Sequence, residues 1–233
     1  APEKSAARIE GAMAGTKLAI ADTGDARKRF KSAPRFAPAG QSTQMIVGAD
    51  AATDGDIVTR ASSLYDRFGL RRVYYSAFSP IPDASAVLPL QRPPLMREHR
   101  LYQSDWLMRF YDYTPGDVVA ATDATTGMLP LDIDPKLAWA LKFRGSFPVD
   151  VNRAPREALL RVPGLGVKAV AAILSARRWR RLRLADVARL TVSIAKLRPF
   201  LITEDWRPVA LSDRADLRPQ IAPKTEQLEL FTA

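Results

Sequence analysis

The chain has no cysteine, a single histidine among 233 residues, and no apolar run near the roughly 20 residues that span a bilayer. Without cysteine it has no disulfide, no cysteine zinc site and no cysteine-ligated iron–sulfur cluster of its own. The lone histidine, His99, excludes a multi-histidine metal site. Flanked by Arg97, Glu98 and Arg100, it reads as a polar helix residue. Residues 1–30 are polar and mixed in charge, without the apolar centre of a signal peptide, so a cytoplasmic protein with no membrane partner is expected. Hydrophobic content of 47% and charged content of 26% are those of a folded globular chain, which disfavours disorder and fibre.

What is present is an uneven positive charge. Residues 1–150 carry 19 basic and 17 acidic side chains, residues 151–200 carry 12 and 2, and residues 201–233 carry 4 and 6. The whole net charge of +10 therefore sits in one block, which includes Arg177, Arg178, Arg180, Arg181 and Arg183. A field so concentrated points to a polyanion partner, because each Lys or Arg on a phosphate releases condensed counterions. A solvated helix end is the plainer alternative. Trp179 within this run is expected at a core edge, with stacking on a base or sugar as the other use.

Inside the block, Pro155 opens a short helix that buries Leu159 and Leu160, and Val162-Pro163-Gly164-Leu165-Gly166 breaks it. A second helix follows, with Val167, Val170, Ala171 and Leu174 as its expected buried stripe. The first N–H groups of that helix and of the glycine turn have no intrahelical acceptor, so together they form an anion site at the positive end of the helix dipole. Both glycines are expected to supply positive φ and close approach, so valine at Gly164 or Gly166 should weaken binding without unfolding the chain. The run Val162-Pro163-Gly164-Leu165-Gly166-Val167-Lys168 resembles the helix-hairpin-helix motif of DNA repair and recombination proteins. That resemblance implies a grip on the DNA sugar-phosphate chain without base reading, with Lys168, Arg177, Arg178, Arg180 and Arg181 beside it. A hairpin used only for packing is the alternative. A weaker copy 28 residues on sets Lys196 over Lys168, but its turn, Thr191-Val192-Ser193-Ile194, lacks glycine and is expected to complete the core.

Upstream, Thr43–Gly48 and Arg72–Phe78 read as strands about a helix over 56–68, a parallel βαβ unit. Five prolines between Pro80 and Pro94 make an extended loop. Helices are then expected over 95–111, where Tyr102, Trp106 and Phe110 share a face, and from Asp134-Pro135. Asp132 and Asp134 resemble paired carboxylates, although Pro135 favours helix capping by Asp134. The expected class is α/β followed by all-α, in four regions: 1–90 an α/β segment, 91–148 a helical linker, 149–205 the hairpin region and 206–233 a flexible tail.

The runs Gly40–Gly48, Arg72–Pro82 and Pro94–Gln103 resemble the later part of a family of DNA modification or repair radical SAM proteins, and the resemblance covers about residues 1–205. It implies the last βα units of a partial (β/α) barrel that binds a 4Fe–4S cluster and S-adenosylmethionine, with Gln44, Gly48 and Ser76 at the cofactor mouth. The three cluster cysteines of that family are absent here. The resemblance therefore implies a separate or missing N-terminal segment bearing the cluster, preferred over a degenerate copy because two strands alone leave a sheet face uncovered. The tail ends in Gln227-Leu228-Glu229-Leu230-Phe231, which resembles the peptide that bacterial repair enzymes and polymerases insert into the sliding clamp. Gln227, Leu228, Leu230 and Phe231 are its expected contacts. Two functions follow: the DNA-binding part of a radical SAM enzyme, or a non-catalytic DNA-binding adaptor tethered to the clamp. RNA is the alternative polyanion.

Overall fold

The computed structural model describes residues 5–80, 88–191, 193–208 and 217–222. They fall into two units, residues 1–52 with 56–98 and residues 53–55 with 99–233, and the class is mixed α/β.

The first unit starts with a helix that hydrophobic patterning does not announce. α1 (Ala6–Arg29) has Met13 as its only buried residue; the propensity of its seven alanines and the Ser5 side chain, which accepts the Arg8 N–H at 3.3 Å, are joined by ion pairs from Glu10 to Arg60 and Arg67 of the following helix and by the Lys17 ammonium on the Arg67 carbonyl. β1 (Ser42–Val47), α2 (Asp54–Phe68) and β2 (Arg72–Ala77) form the expected βαβ unit. The strands are parallel, in register from Ser42 opposite Arg72 to Val47 opposite Ala77. Alternation buries Val47, Val73 and Tyr75 with Ile57, Val58, Ala61 and Leu64 of α2, and leaves Gln44, Ile46 and Tyr74 exposed. The Gln41 amide donates to the carbonyls of Met13 (3.1 Å) and Phe68 (2.8 Å), tying both helices to the start of β1. Among the described residues no third strand joins this pair and no barrel closes.

The second unit takes α3 (Leu95–Phe110) from His99 onward, then α4 (Pro115–Ala121), α5 (Pro135–Lys142), β3 (Val149–Asp150), α6 (Arg156–Arg161), α7 (Val167–Ala176), α8 (Leu184–Ala188), α9 (Ile194–Leu197), β4 (Leu201–Ile202) and α10 (Leu217–Ile221). Asp134 caps α5 as expected, its carboxylate accepting the Leu137 N–H at 2.9 Å, while Asp132 is held by Arg218 at 2.8 Å. Edge-on contacts link Tyr113 to Trp139 (5.6 Å), Trp139 to Phe147 (6.3 Å) and Phe147 to Phe200 (5.1 Å), so one aromatic chain runs through the core. β3 pairs with β4 in parallel, which brings the two ends of the basic block together.

Several expectations are corrected. The region 91–148 does not stand apart as a linker, since from His99 it folds into the same unit as residues 149–205. The tail is not uniformly loose: α10 buries Leu217 and Ile221 and is pinned by the Arg218–Asp132 pair. The face of α3 bearing Tyr102, Trp106 and Phe110 points outward, with Trp106 52% and Phe110 44% exposed, while Leu101, Ser104 and Asp105 are buried. The stripe of α7 is rotated by about one residue, burying Ala169, Val170 and Ile173 and leaving Ala171 exposed. No helix among the described residues is long and apolar enough to cross a membrane. Gln227, Leu228, Leu230 and Phe231 lie outside the described residues.

Candidate nucleic-acid interface

α6 and α7 meet at the turn Val162–Gly166. Val162 and Leu165 are buried and anchor it, and the Leu165 N–H closes the turn on the Val162 carbonyl at 3.2 Å. Gly164 has φ +86°, a conformation L-residues avoid. Gly166 does not: its φ is −89° and it is the extended N-cap of α7. Only one of the two glycines is therefore required by backbone conformation. The other leaves space, since a Cβ on Gly166 would meet nothing nearer than the Tyr111 hydroxyl at 3.7 Å.

Two carbonyls of this turn accept from side chains of the protein. The Thr191 hydroxyl donates to the Gly164 carbonyl at 3.0 Å, and the Lys136 ammonium donates to the Leu165 carbonyl at 2.6 Å. In a trans peptide the C=O and the following N–H point oppositely, so fixing the Leu165 carbonyl inward turns the Gly166 N–H outward. The N–H groups of Gly164, Gly166, Val167, Lys168 and Ala169 have no acceptor among the described residues. Gly164 and Lys168 are exposed and Gly166 and Val167 half-buried, so this row of donors opens to solvent. α7 is ten residues long and adds its positive dipole end there.

Lys136 belongs to this site although neither motif nor periodicity points to it. It sits in the first turn of α5 and is only 7% exposed, with its ammonium 4.7 Å from the centre of the Tyr111 ring. Burial lowers its pKa to about 7; Asp134 opposes the shift and Arg161 adds to it. A lysine in the otherwise apolar stretch Pro135–Leu141 was the available signal.

The arginines divide by partner. Arg177 is half-buried and donates to the carbonyls of Val151 (3.1 Å) and Ala154 (2.6 Å), so it braces the chain entering α6 and is not a free phosphate contact. Arg180 forms a two-pronged pair with Asp186 at 2.8 and 2.6 Å, which holds the Asp186 carboxyl down to about 2. Arg178, Arg181 and Lys168 are exposed with no acceptor among the described residues. Trp179, expected at a core edge, is instead 87% exposed. Seven helical residues, 170–176, lie between the donor row and the basic run, about 10 Å, so that run does not lie on the turn itself.

Beside the turn lies an open groove of about 590 Å³. Gly164, Leu165, Gly166 and Lys168 line one side, and Tyr102, Gln103 and Trp106 of α3 also line it.

In the first unit, Gln44 and Ser76 share the outward face of the strand pair, and the Gln44 amide donates to the Ser76 hydroxyl at 2.6 Å. Gly48 does not join them: it turns the chain at φ +78°, and a Cβ there would lie 2.8 Å from Pro93. The donors for a 4Fe–4S cluster do not fit this chain, which has no thiolate, and the described residues hold no metal-binding group of histidine and carboxylates. No known family, curated protein or solved structure matches the chain.

Proposed function

We propose that this chain binds DNA through its sugar-phosphate backbone, with the α6–α7 turn as the grip in the manner of a helix-hairpin-helix. One observation carries this: the N–H groups of Gly164, Gly166, Val167, Lys168 and Ala169, without an acceptor among the described residues, opened by an unhindered Gly166 and set in the +10 block. A phosphate there gains several amide hydrogen bonds and the helix dipole, and no base edge is touched, so binding is independent of sequence.

The test is titration of labelled duplexes at several salt concentrations. Lys168→Ala should weaken binding equally for unrelated sequences and lower the salt slope by about one. Gly166→Val should weaken binding with little change in thermal stability, because it removes close approach and not a required φ. Sequence-selective loss, or wild-type protein that ignores DNA at modest salt, refutes the proposal; competition with RNA of equal length identifies the preferred polyanion.

The wider role follows from the first unit. Ile46 and Tyr74, 49% and 44% exposed on the outward face of the strand pair, favour a further segment covering that face, as in the C-terminal part of a radical SAM enzyme acting on DNA. A Cys-x3-Cys-x2-Cys segment in the reading frame upstream of Ala1 supports that role. A start codon at Ala1 supports the adaptor tethered to the sliding clamp, and removing residues 226–233 would then abolish clamp binding in calorimetry.

A further inference from the structure

The backbone grip leaves one feature without a use, the aromatic wall that α3 turns away from the core. Tyr102 and Trp106 stand one helical turn apart and both line the groove beside the turn. Trp106 is 52% exposed and is propped by the Phe110 ring at 5.6 Å and 73°. We infer that the groove takes one unstacked nucleobase of the strand whose phosphate lies on the α6–α7 turn, an inference that rests on the backbone binding proposed above.

Four observations converge on this occupant. The groove, about 590 Å³, lies within the usual range for sites that enclose a small molecule. Its rim is the grip itself, since Gly164, Gly166 and Lys168 line it. A phosphate on those amides therefore delivers the nucleoside attached to it, or its neighbour, to the groove mouth by chain continuity. The Trp106 ring, with Tyr102 beside it in the groove lining, offers a π-face that any of the four bases can stack on, which preserves the indifference to sequence. The Gln103 carbonyl oxygen already accepts from Arg100 at 2.8 Å, so its NH₂ is the group left to meet a sugar oxygen. A paired base inside a duplex is stacked on its neighbours and stays outside, whereas an unpaired one enters at little cost. The groove thus converts a grip on any backbone into a preference for strands carrying an unpaired nucleotide.

Fluorescence anisotropy of the full chain with three oligonucleotides of one length tests this: a single strand, an intact duplex, and a duplex with one unpaired nucleotide, all at the same salt. The single strand and the duplex with the unpaired nucleotide should bind about five- to a hundredfold more tightly than the intact duplex. Trp106→Ala should remove that difference and leave affinity for the intact duplex unchanged, and Trp106→Phe should restore part of it. Tyr102→Ala gives the same readout from one turn away should Trp106→Ala melt early. Equal wild-type affinities for all three, or a Trp106→Ala loss shared by the intact duplex, overturns the groove assignment and leaves the grip standing. Failure of the wild type to bind any of the three overturns the grip, and the groove with it.

Discussion

Replacing Lys136 by methionine separates its electrostatic cost from its structural use. The ammonium is buried, with its pKa brought from 10.5 down to about 7. Between those values the unfolded chain holds a proton that the folded chain has shed, so raising the pH favours the folded state. This contribution amounts to about 1.4 kcal/mol per pH unit at most across that window, and to about 4–5 kcal/mol in all as an upper bound. Below pH 7 the folded chain carries the whole penalty of a buried charge, offset in part by the 2.6 Å bond to the Leu165 carbonyl. Lys136→Met keeps the stem's volume and removes the titration. Urea unfolding of both proteins at half-unit steps from pH 6 to 10.5 should therefore show wild type gaining on the variant as pH rises, with other titrations cancelling in the difference. The variant should also bind DNA more weakly at every pH, because the Leu165 carbonyl is released and the Gly166 N–H loses its fixed direction. Parallel stability curves would refute the burial argument, and unchanged DNA affinity would refute the orienting role.

Two further substitutions separate scaffold from interface. Gly164→Ala should cost about 1–2 kcal/mol in urea unfolding, because φ +86° is strained for alanine while a Cβ there meets only ordinary contacts from 3.6 Å outward; a neutral result would mean the turn adopts another conformation. Arg177→Ala should cost on the order of 1–3 kcal/mol by stranding two carbonyls, whereas Arg178→Ala should leave the melting temperature alone and reduce duplex affinity; the reverse pattern would contradict the division drawn from their hydrogen bonds.

Much of the local structure was legible because it rests on short-range rules. The βαβ unit follows from alternation and a glycine stop, the start of α5 from Asp134-Pro135, and the α6–α7 turn from a proline and two glycines on an apolar frame. What stayed hidden depends on contacts between distant residues. α1 has no stripe to read, and a 24-residue helix with one buried side chain is visible only through propensity. The apolar period of α3 marks a helix but not which way Tyr102 and Trp106 face, because aromatic spacing is the same for a core stripe and a binding wall. Arginine counts are likewise blind to partners: Arg177 and Arg178 are neighbours in sequence, yet one is spent on carbonyls and the other is free for solvent. Lys136 is the sharpest case, a charged residue whose burial is decided by α5 lying against a turn 29 positions later.

That pin also couples two segments far apart in the chain. The donor geometry of the α6–α7 turn depends on the ammonium that α5 brings to the Leu165 carbonyl, so loss of α5 packing leaves the basic charge in place and frees the turn. On the backbone-binding reading proposed above, a firm hold on a phosphate is thereby tied to a completed fold, while the basic charge alone is not.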